Sequence, residues 1–316
     1  LGTTVNSFFN QLKRFFLLRK FIRDSDPDVI ISFMTQVNVV AILSAFNAGK
    51  PLIVSERTYP PNSSLSDIPY SWRILRRITY PLANAVVMQT EQGLDWLKDN
   101  IKQAKGFTIS NPVEKPIPFS TPDLKVENYV SPDINLCLVV GRLVKDKRLE
   151  GIIEAFKKNS LDNPSWNLVF LGQGEELKAL TKIVEIYNLE EKIFFLGRAG
   201  NLHEWYERAD LFVLNSRVEG FPNSLLEAMS YGVPCISADC ETGPRDIIKD
   251  KINGFLVPVN ENKSYLEEAM SVLMSDIEIR KSLSLKALDS SRTYSVTRIG
   301  RQWDNLIKSI VKFDEG

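Results

Sequence analysis

Two glutamates eight residues apart, Glu219 and Glu227, are the acids of this chain best placed to do chemistry. They belong to the stretch EGFPNSLLEAMSYG, residues 219–232, which follows the apolar run Leu211 to Leu214 and closes on Gly232. The run reads as a buried parallel strand, and Gly220, Phe221 and Pro222 turn the chain from it into a short helix. Backbone N–H groups at a helix start that follows a strand can hold an anion. Carboxylates on either side of that start can hold hydroxyls. Amides for a phosphate and acids for hydroxyls are what a sugar nucleotide needs. A plainer reading fits the same residues: Ser224-x-x-Glu227 is a capping box, in which Glu227 turns back onto the Ser224 backbone N–H, and Glu219 is a solvated loop acid. Spacing alone leaves both open.

Other strand ends in the same half of the chain carry unusual residues. After one apolar run comes Gly141-Arg-Leu-Val-Lys-Asp-Lys147, where Gly141 permits a tight turn and Arg142 and Lys147 offer fixed cations for a diphosphate. They are equally two surface bases near a turn. After the next comes Gly172-Gln-Gly174, a G-x-G whose third glycine position is Leu177, so a dinucleotide fingerprint is incomplete. Gly197-Arg198 ends a further strand, where exposed backbone could face a planar base or merely make a turn. Thr242 to Ile248 reads as an N-cap and turn at another strand end.

These junctions need a sheet to position them. From Asn135 short continuous apolar runs alternate with helical patterns, with strands predicted at 136–140, 167–171, 193–196, 211–214, 235–237 and 255–257. Helices fall between them at about 148–159, 175–187, 202–208, 223–231 and 243–248, with further helices at 262–274, 277–290 and 296–312. This is the pattern of a doubly wound parallel α/β domain. The first part of the chain repeats it more sparsely: helix 6–23, strand 29–33, helix 37–47, strand 52–54, helix 69–80, strand 85–88, a helix from Thr90 and strand 107–109. Residues 114–133, rich in Pro and polar groups, read as an interdomain linker. Two Rossmann-like domains are expected, over 1–120 and 134–295, with a last helix at 296–316. The chain opens on a helix where an α/β domain normally opens on a strand, and an earlier βα portion is expected to be missing.

Composition narrows the classes. A length of 316 residues fits two domains. The formal net charge of zero makes no case for nucleic acid. Ten Lys/Arg against five Asp/Glu fall within residues 1–80, so the basic excess lies at the front. Cys137, Cys235 and Cys240 form no C-x-x-C and read as reduced, buried thiols of a cytosolic protein. The single His203 has no ligand-spaced partner, and the Asp24-x-Asp26 pair precedes a strand where a turn is expected, so no metal site is expected.

Taken in order, GRLVKDKR, LGQGEELKAL, FLGRAGNLHEWYERADLFVLNS, EGFPNSLLEAMSYGVPCISAD, GPRDII and NGFLV resemble the C-terminal domain of the retaining glycosyltransferases of family 4, which have the GT-B fold of two Rossmann-like domains facing a cleft. The resemblance is specific over about 134–260 and weaker over 25–113. It implies that the domain over 1–120 binds the acceptor, that the domain over 134–295 binds the nucleotide sugar, and that the helix at 296–316 crosses back to pack on the first. It implies that Arg142 and Lys147 hold the nucleotide diphosphate and stabilise it as leaving group, that Glu227 binds the ribose hydroxyls, and that Glu219 bonds the donor sugar. It places Phe221, Pro222, Asn223 and Ser224 around the sugar, the amides near Ser224 and Leu225 on the phosphates, Arg198 beside the base, and Gly141 and Gly172 at the turns lining the site. It implies a nucleotide sugar as substrate, UDP-linked before GDP-linked, with no metal or other cofactor. Many members carry an N-domain histidine close to the transferred sugar. Here that stretch reads Ser55-Glu56-Arg57, so Glu56 or Arg57 would have to serve. A UDP-sugar epimerase, a phosphorylase and a non-catalytic sugar-nucleotide-binding subunit stay open beside a transferase.

The acceptor is expected to be a glycan or a lipid-linked glycan. Helices 6–23 and 69–80 set Phe8, Phe15, Phe16, Leu17 and Trp72 among Lys and Arg, as a peripheral contact with anionic lipid would need. The place of action implied is the cytoplasm, at the inner face of the cell membrane. Helices packing their apolar faces on their own sheet would show the same pattern.

Overall fold

The computed structural model describes the backbone of residues 2–61, 68–259 and 264–311, and side chains from residue 13 onward. The chain divides into two compact units, one of Leu1–Asn111 with Thr297–Gly316 and one of Pro112–Val296. The first unit runs α1 (Gly2–Ser25), β1 (Ile30–Phe33), α2 (Thr35–Ala45), β2 (Leu52–Ser55), α3 (Tyr70–Thr79), β3 (Ala85–Met88), α4 (Glu91–Asn100) and β4 (Gly106–Thr108). The second runs β5 (Asn135–Val140), α5 (Leu149–Ser160), β6 (Trp166–Leu171), α6 (Leu177–Ile186), β7 (Ile193–Gly197), α7 (Leu202–Arg208), β8 (Leu211–Leu214), α8 (Asn223–Ser230), β9 (Cys235–Asp239), α9 (Pro244–Ile247), β10 (Phe255–Pro258), α10 (Ser264–Ser275) and α11 (Ile277–Ser291). The last helix, α12 (Val296–Ile310), belongs almost wholly to the first unit.

In the first unit β1 to β4 lie side by side in chain order, all parallel. The inner strands β2 and β3 are buried on both faces, as their unbroken apolar runs require. Successive side chains point to opposite faces. Leu52, Val54, Val86 and Met88 pack with Val39, Ile42 and Leu97, while Ile53, Ala85 and Val87 pack with Ile299 and Leu306 of α12. The returning helix therefore closes the second face of this sheet.

The second unit is a six-stranded parallel sheet in the order β10-β9-β8-β5-β6-β7. Apolar cores cover both of its faces, one around Phe156, Trp166, Phe170 and Met270, the other around Trp205, Phe212, Leu225 and Met229. Residues 114–133, read from sequence as a linker, are packed onto this unit. The Ser120 amide donates to the Gly200 carbonyl at 2.8 Å, and Asn201 bonds both the amide and the carbonyl of Leu124. All three cysteines are free and buried. Residues 262 and 263, included in the expected helix 262–274, lie outside the described residues, as does the side chain of Phe8.

Candidate functional site

The strand order places a topological switch point between β5 and β8. From β5 the chain winds one way to β6 and β7; from β8 it winds the other way to β9 and β10. Connections that leave in opposite directions open a crevice at the carboxyl ends of the two central strands, where ligands of open α/β sheets bind. The loop after β5 is Gly141 to Arg148, and the loop after β8 is Asn215 to Pro222. The two stretches containing the fixed cations and the first glutamate are thereby brought to one place by topology.

Hydrogen bonds join these loops. The Arg217 amide donates to the Asp146 carbonyl at 2.7 Å, and the Asn215 side-chain amide donates to the Arg148 carbonyl at 3.0 Å. Across them Lys147 Nζ meets Glu219 Oε1 at 2.5 Å, with side-chain exposures of only 19% and 12%. The Glu219 carbonyl accepts from the Thr242 hydroxyl at 2.6 Å, so Thr242 fastens this loop and is not an N-cap. Gly243 has φ 93°, and a Cβ there would stand 2.6 Å from Pro222 Cδ. Phe221 is buried, its ring 5.8 Å from that of Tyr294, whose hydroxyl donates to the Asp246 carbonyl at 2.5 Å. Burial, reinforced by Asp246, pushes the Tyr294 hydroxyl up to about 12.

Phe221 and Pro222 are buried and brace the loop. Leu225 is fully buried, so only its backbone can face a ligand. Asn223 is exposed and Ser224 half-buried at the first turn of α8. The capping box does not form: α8 starts at Asn223 after Pro222, with no side-chain cap. Glu227 instead accepts a hydrogen bond from the Tyr206 hydroxyl at 2.9 Å. Burial raises the Glu227 carboxyl above its ordinary range, and the Tyr206 bond partly opposes that rise.

The remaining residues line a cleft of about 530 Å³ formed by Val140, Gly141, Arg142, Leu171, Gly172, Gln173, Arg198, Ala199 and Leu202. Arg142 and Arg198 are exposed at its rim. The loops below it are in close contact: the Gly172 amide donates to the Gly197 carbonyl at 2.6 Å, and a Cβ at Gly172 would lie 1.8 Å from the Gly141 carbonyl oxygen. Only glycine permits that approach. Gly141, Arg142, Gly172 and Arg198 thus share one cleft, and Lys147 and Glu219 share one ion pair. Tyr206, Gln173, Thr242 and Tyr294 join the site although none was named as a site residue: Gln173 and Thr242 stand in strand-end turns, Tyr206 in a stretch that carries the resemblance, and Tyr294 in no motif.

In the first unit, the Glu56 carboxylate is engaged within the fold. It is buried and accepts from the Thr35 hydroxyl at 2.8 Å and the Tyr80 hydroxyl at 2.7 Å, with Arg76 3.6 Å away. Arg57 is the half-exposed member, at the carboxyl end of β2, stacked over the Phe33 ring at 4.6 Å and bonded to Asn111. Among the described residues no group of three or more His, Cys, Asp or Glu is set to share a metal ion. Asp26 pairs with Lys50.

The family described as "Glycosyl transferases group 1" matches residues 122–288. The chain belongs to that family. It is similar to the Campylobacter jejuni GalNAc-alpha-(1->4)-GalNAc-alpha-(1->3)-diNAcBac-PP-undecaprenol alpha-1,4-N-acetyl-D-galactosaminyltransferase, at 29% identity over 98% of this chain and 82% of that protein. It is also similar to the amylovoran biosynthesis glycosyltransferase AmsD of Erwinia amylovora, at 27% identity over 93% of this chain and 82% of that one. Among solved structures, Anabaena Alr3699/HepE in complex with UDP and glucose superposes with a TM-score of 0.77 at 18% identity, over 93% of this chain and 81% of that one. The sucrose-phosphate synthase of Thermosynechococcus elongatus gives 0.83 at 17% identity, over 96% and 78%. The fold is GT-B, and this group 1 family member is a glycosyltransferase.

Proposed function

We propose that this glycosyltransferase is a retaining enzyme of family 4 that moves a hexosyl or N-acetylhexosaminyl group from a UDP-sugar to a glycan or lipid-linked glycan. The observation that carries this reading is the Lys147–Glu219 pair held across the switch point of the second unit. One member is a cation suited to a departing diphosphate and the other an acid suited to sugar hydroxyls. In this reading Lys147 and Arg142 take the diphosphate, the amides at the start of α8 add N–H donors, and Glu227 accepts from the ribose. The cleft at Arg198 takes the base.

The bond from the anomeric carbon to the phosphate oxygen breaks as the bond to the acceptor oxygen forms, through an oxocarbenium-like state. The acceptor's proton passes to the leaving phosphate. Fixed cations on the departing charge supply the main stabilisation, and the chemistry asks for no metal and no protein nucleophile. The UDP assignment draws on the solved neighbour described as bound to UDP and glucose, and the acceptor class on the undecaprenol-linked substrate in the name of the Campylobacter relative.

The first unit is the proposed acceptor side, with peripheral contact to anionic lipid at the inner face of the cell membrane. Phe16, Leu17, Tyr70, Ile74 and Ile78 are exposed there, beside exposed Lys13, Arg14, Lys20 and Arg77. Trp72 and Arg76 drop out of that surface, because Trp72 packs against the core of the unit and Arg76 is buried on Glu56. Among the described residues no helix is long and apolar enough to cross a membrane. A thermal-shift screen of UDP-, GDP- and ADP-sugars tests the donor, with stabilisation by UDP-sugars expected. Lys147→Ala and Glu219→Ala should each abolish most transfer from folded protein; near-native turnover in both would refute the reading. UDP binding with neither transfer nor donor hydrolysis in wild type would favour a non-catalytic binding subunit.

A further inference from the structure

Tyr206 donates to the Glu227 carboxylate, a bond that no spacing in the sequence declares. Its ring is buried, 1% exposed. It stacks on Tyr231 with centroids 5.8 Å apart and 23° between planes, and it leans on Phe212 at 6.2 Å. Tyr231 is itself pinned, its hydroxyl accepting from the Ile117 amide at 3.0 Å and its ring carrying the Lys115 ammonium at 4.5 Å. A ring held on both sides cannot swing, so its hydroxyl has a fixed direction. That direction is Glu227 Oε2, at 2.9 Å. The other carboxylate oxygen, Oε1, has no protein partner among the described residues.

A glutamate on a helix turn normally samples several rotamers and loses that freedom when a ligand fixes it. Here one oxygen is already fixed from beneath. The tyrosine hydroxyl needs an acceptor because burial and the neighbouring carboxylate hold its proton on. It therefore remains a donor throughout the ordinary pH range, and the carboxylate remains aimed.

We propose that Tyr206 is a positioning residue for nucleotide recognition: it presets the Glu227 carboxylate so that its free oxygen receives the ribose hydroxyls of a nucleoside diphosphate. This rests on the nucleotide-sugar reading of the site, and the test separates the two. Isothermal titration would compare UDP with 2′,3′-dideoxy-UDP on wild type, Tyr206→Phe, Glu227→Ala and the double variant. Tyr206→Phe keeps the stacked ring and removes only the hydroxyl. The expected result is a three- to tenfold loss of UDP affinity, about the cost of immobilising one more side chain, with the dideoxy affinity unchanged. In the Glu227→Ala background the tyrosine change should have no further effect on UDP, since it acts through the glutamate. Equal losses for both ligands, or none for UDP, would overturn the proposal, as would additive losses in the double variant. A wild type that binds UDP but does not prefer it over the dideoxy form removes the ribose role of Glu227 and this proposal with it. A wild type that binds neither removes the nucleotide reading first.

Discussion

Glu219→Gln should make the protein bind UDP more tightly while transferring sugar far more slowly. In the unliganded chain Lys147 is already occupied, with its ammonium 2.5 Å from the Glu219 carboxylate. Two unit charges at that separation attract by roughly 6–7 kcal/mol at an effective dielectric of about 20. Desolvation of both groups returns most of this, and hydrogen bonds to charged groups retain about 1.5–3 kcal/mol net. A diphosphate that arrives on Lys147 has to share it with Glu219. The amide of Gln keeps the shape and still accepts from Lys147, but as a neutral acceptor of roughly half the strength. About 1 kcal/mol of competition is thereby removed, which is roughly a fivefold gain in UDP affinity.

The same change takes a charged acceptor away from the sugar, and loss of one preorganised electrostatic contact costs roughly a hundredfold in rate or more. Titration calorimetry with UDP and initial rates of transfer or donor hydrolysis read the two effects separately. Lys147→Ala supplies the opposite sign, with weaker UDP binding and slower chemistry together. If Glu219→Gln left UDP affinity unchanged or lowered it, Lys147 would not be the group that the phosphates share, and the reasoning from the ion pair would fail.

Burial raises the Glu227 carboxyl, so the folded chain keeps that proton to higher pH than the unfolded chain does and ionisation opposes folding above it. Glu227→Gln should therefore raise Tm at neutral pH, with the gain vanishing as pH falls into the ordinary carboxylate range; in wild type UDP affinity should fall on acidification earlier than an exposed glutamate would cause, as a pH series of titrations would show. Gly172→Ala places a methyl 1.8 Å from the Gly141 carbonyl oxygen, and should cost about 1–3 kcal/mol or more in denaturant unfolding and weaken UDP binding as the two loops part. Co-sedimentation with anionic liposomes at low salt should capture the protein, and Ile78→Glu with Arg77→Glu should release it; no capture of wild type would end the membrane proposal.

The elements were legible because their signals are local. Strands such as Leu211–Leu214 are unbroken apolar runs, and Gly232, at φ 76°, stops α8 where its sequence stops being helical. The order of the strands is not local, and alternation leaves it open: the one-handed crossover of parallel strands can step to either side, and the structure sets the reversal between β5 and β8. Arg142 and Lys147, from one short motif, and Glu219, from another, were assigned to one site by the family resemblance. What stayed hidden were the choices made by side chains at packing distance. Ser224-x-x-Glu227 satisfies the capping pattern, but Pro222 occupies the position before the helix, and it is Tyr206, from α7, that claims the carboxylate. Glu56 and Arg57 are neighbours of equal promise in sequence. The buried hydroxyls of Thr35 and Tyr80 engage the acid, and the base is left half-exposed at the carboxyl end of β2.

That division has a consequence for how the site is built. Of the residues that motifs reveal, Lys147 and Glu219 sit on connecting segments and Glu227 just past the first turn of a short helix, where backbone alone gives their long side chains little restraint. The restraint comes from neighbouring segments, through contacts that no spacing declares: Thr242 on the Glu219 carbonyl, Gly243 against Pro222, Tyr294 behind Phe221 and Tyr206 under Glu227. A charged group held within a fraction of an ångström spends less binding energy on being ordered by its ligand. Substitutions in this supporting set should therefore tell on donor affinity through orientation even where no atom of theirs meets the donor, and they should do so in proportion to the freedom each one returns to the charge it holds.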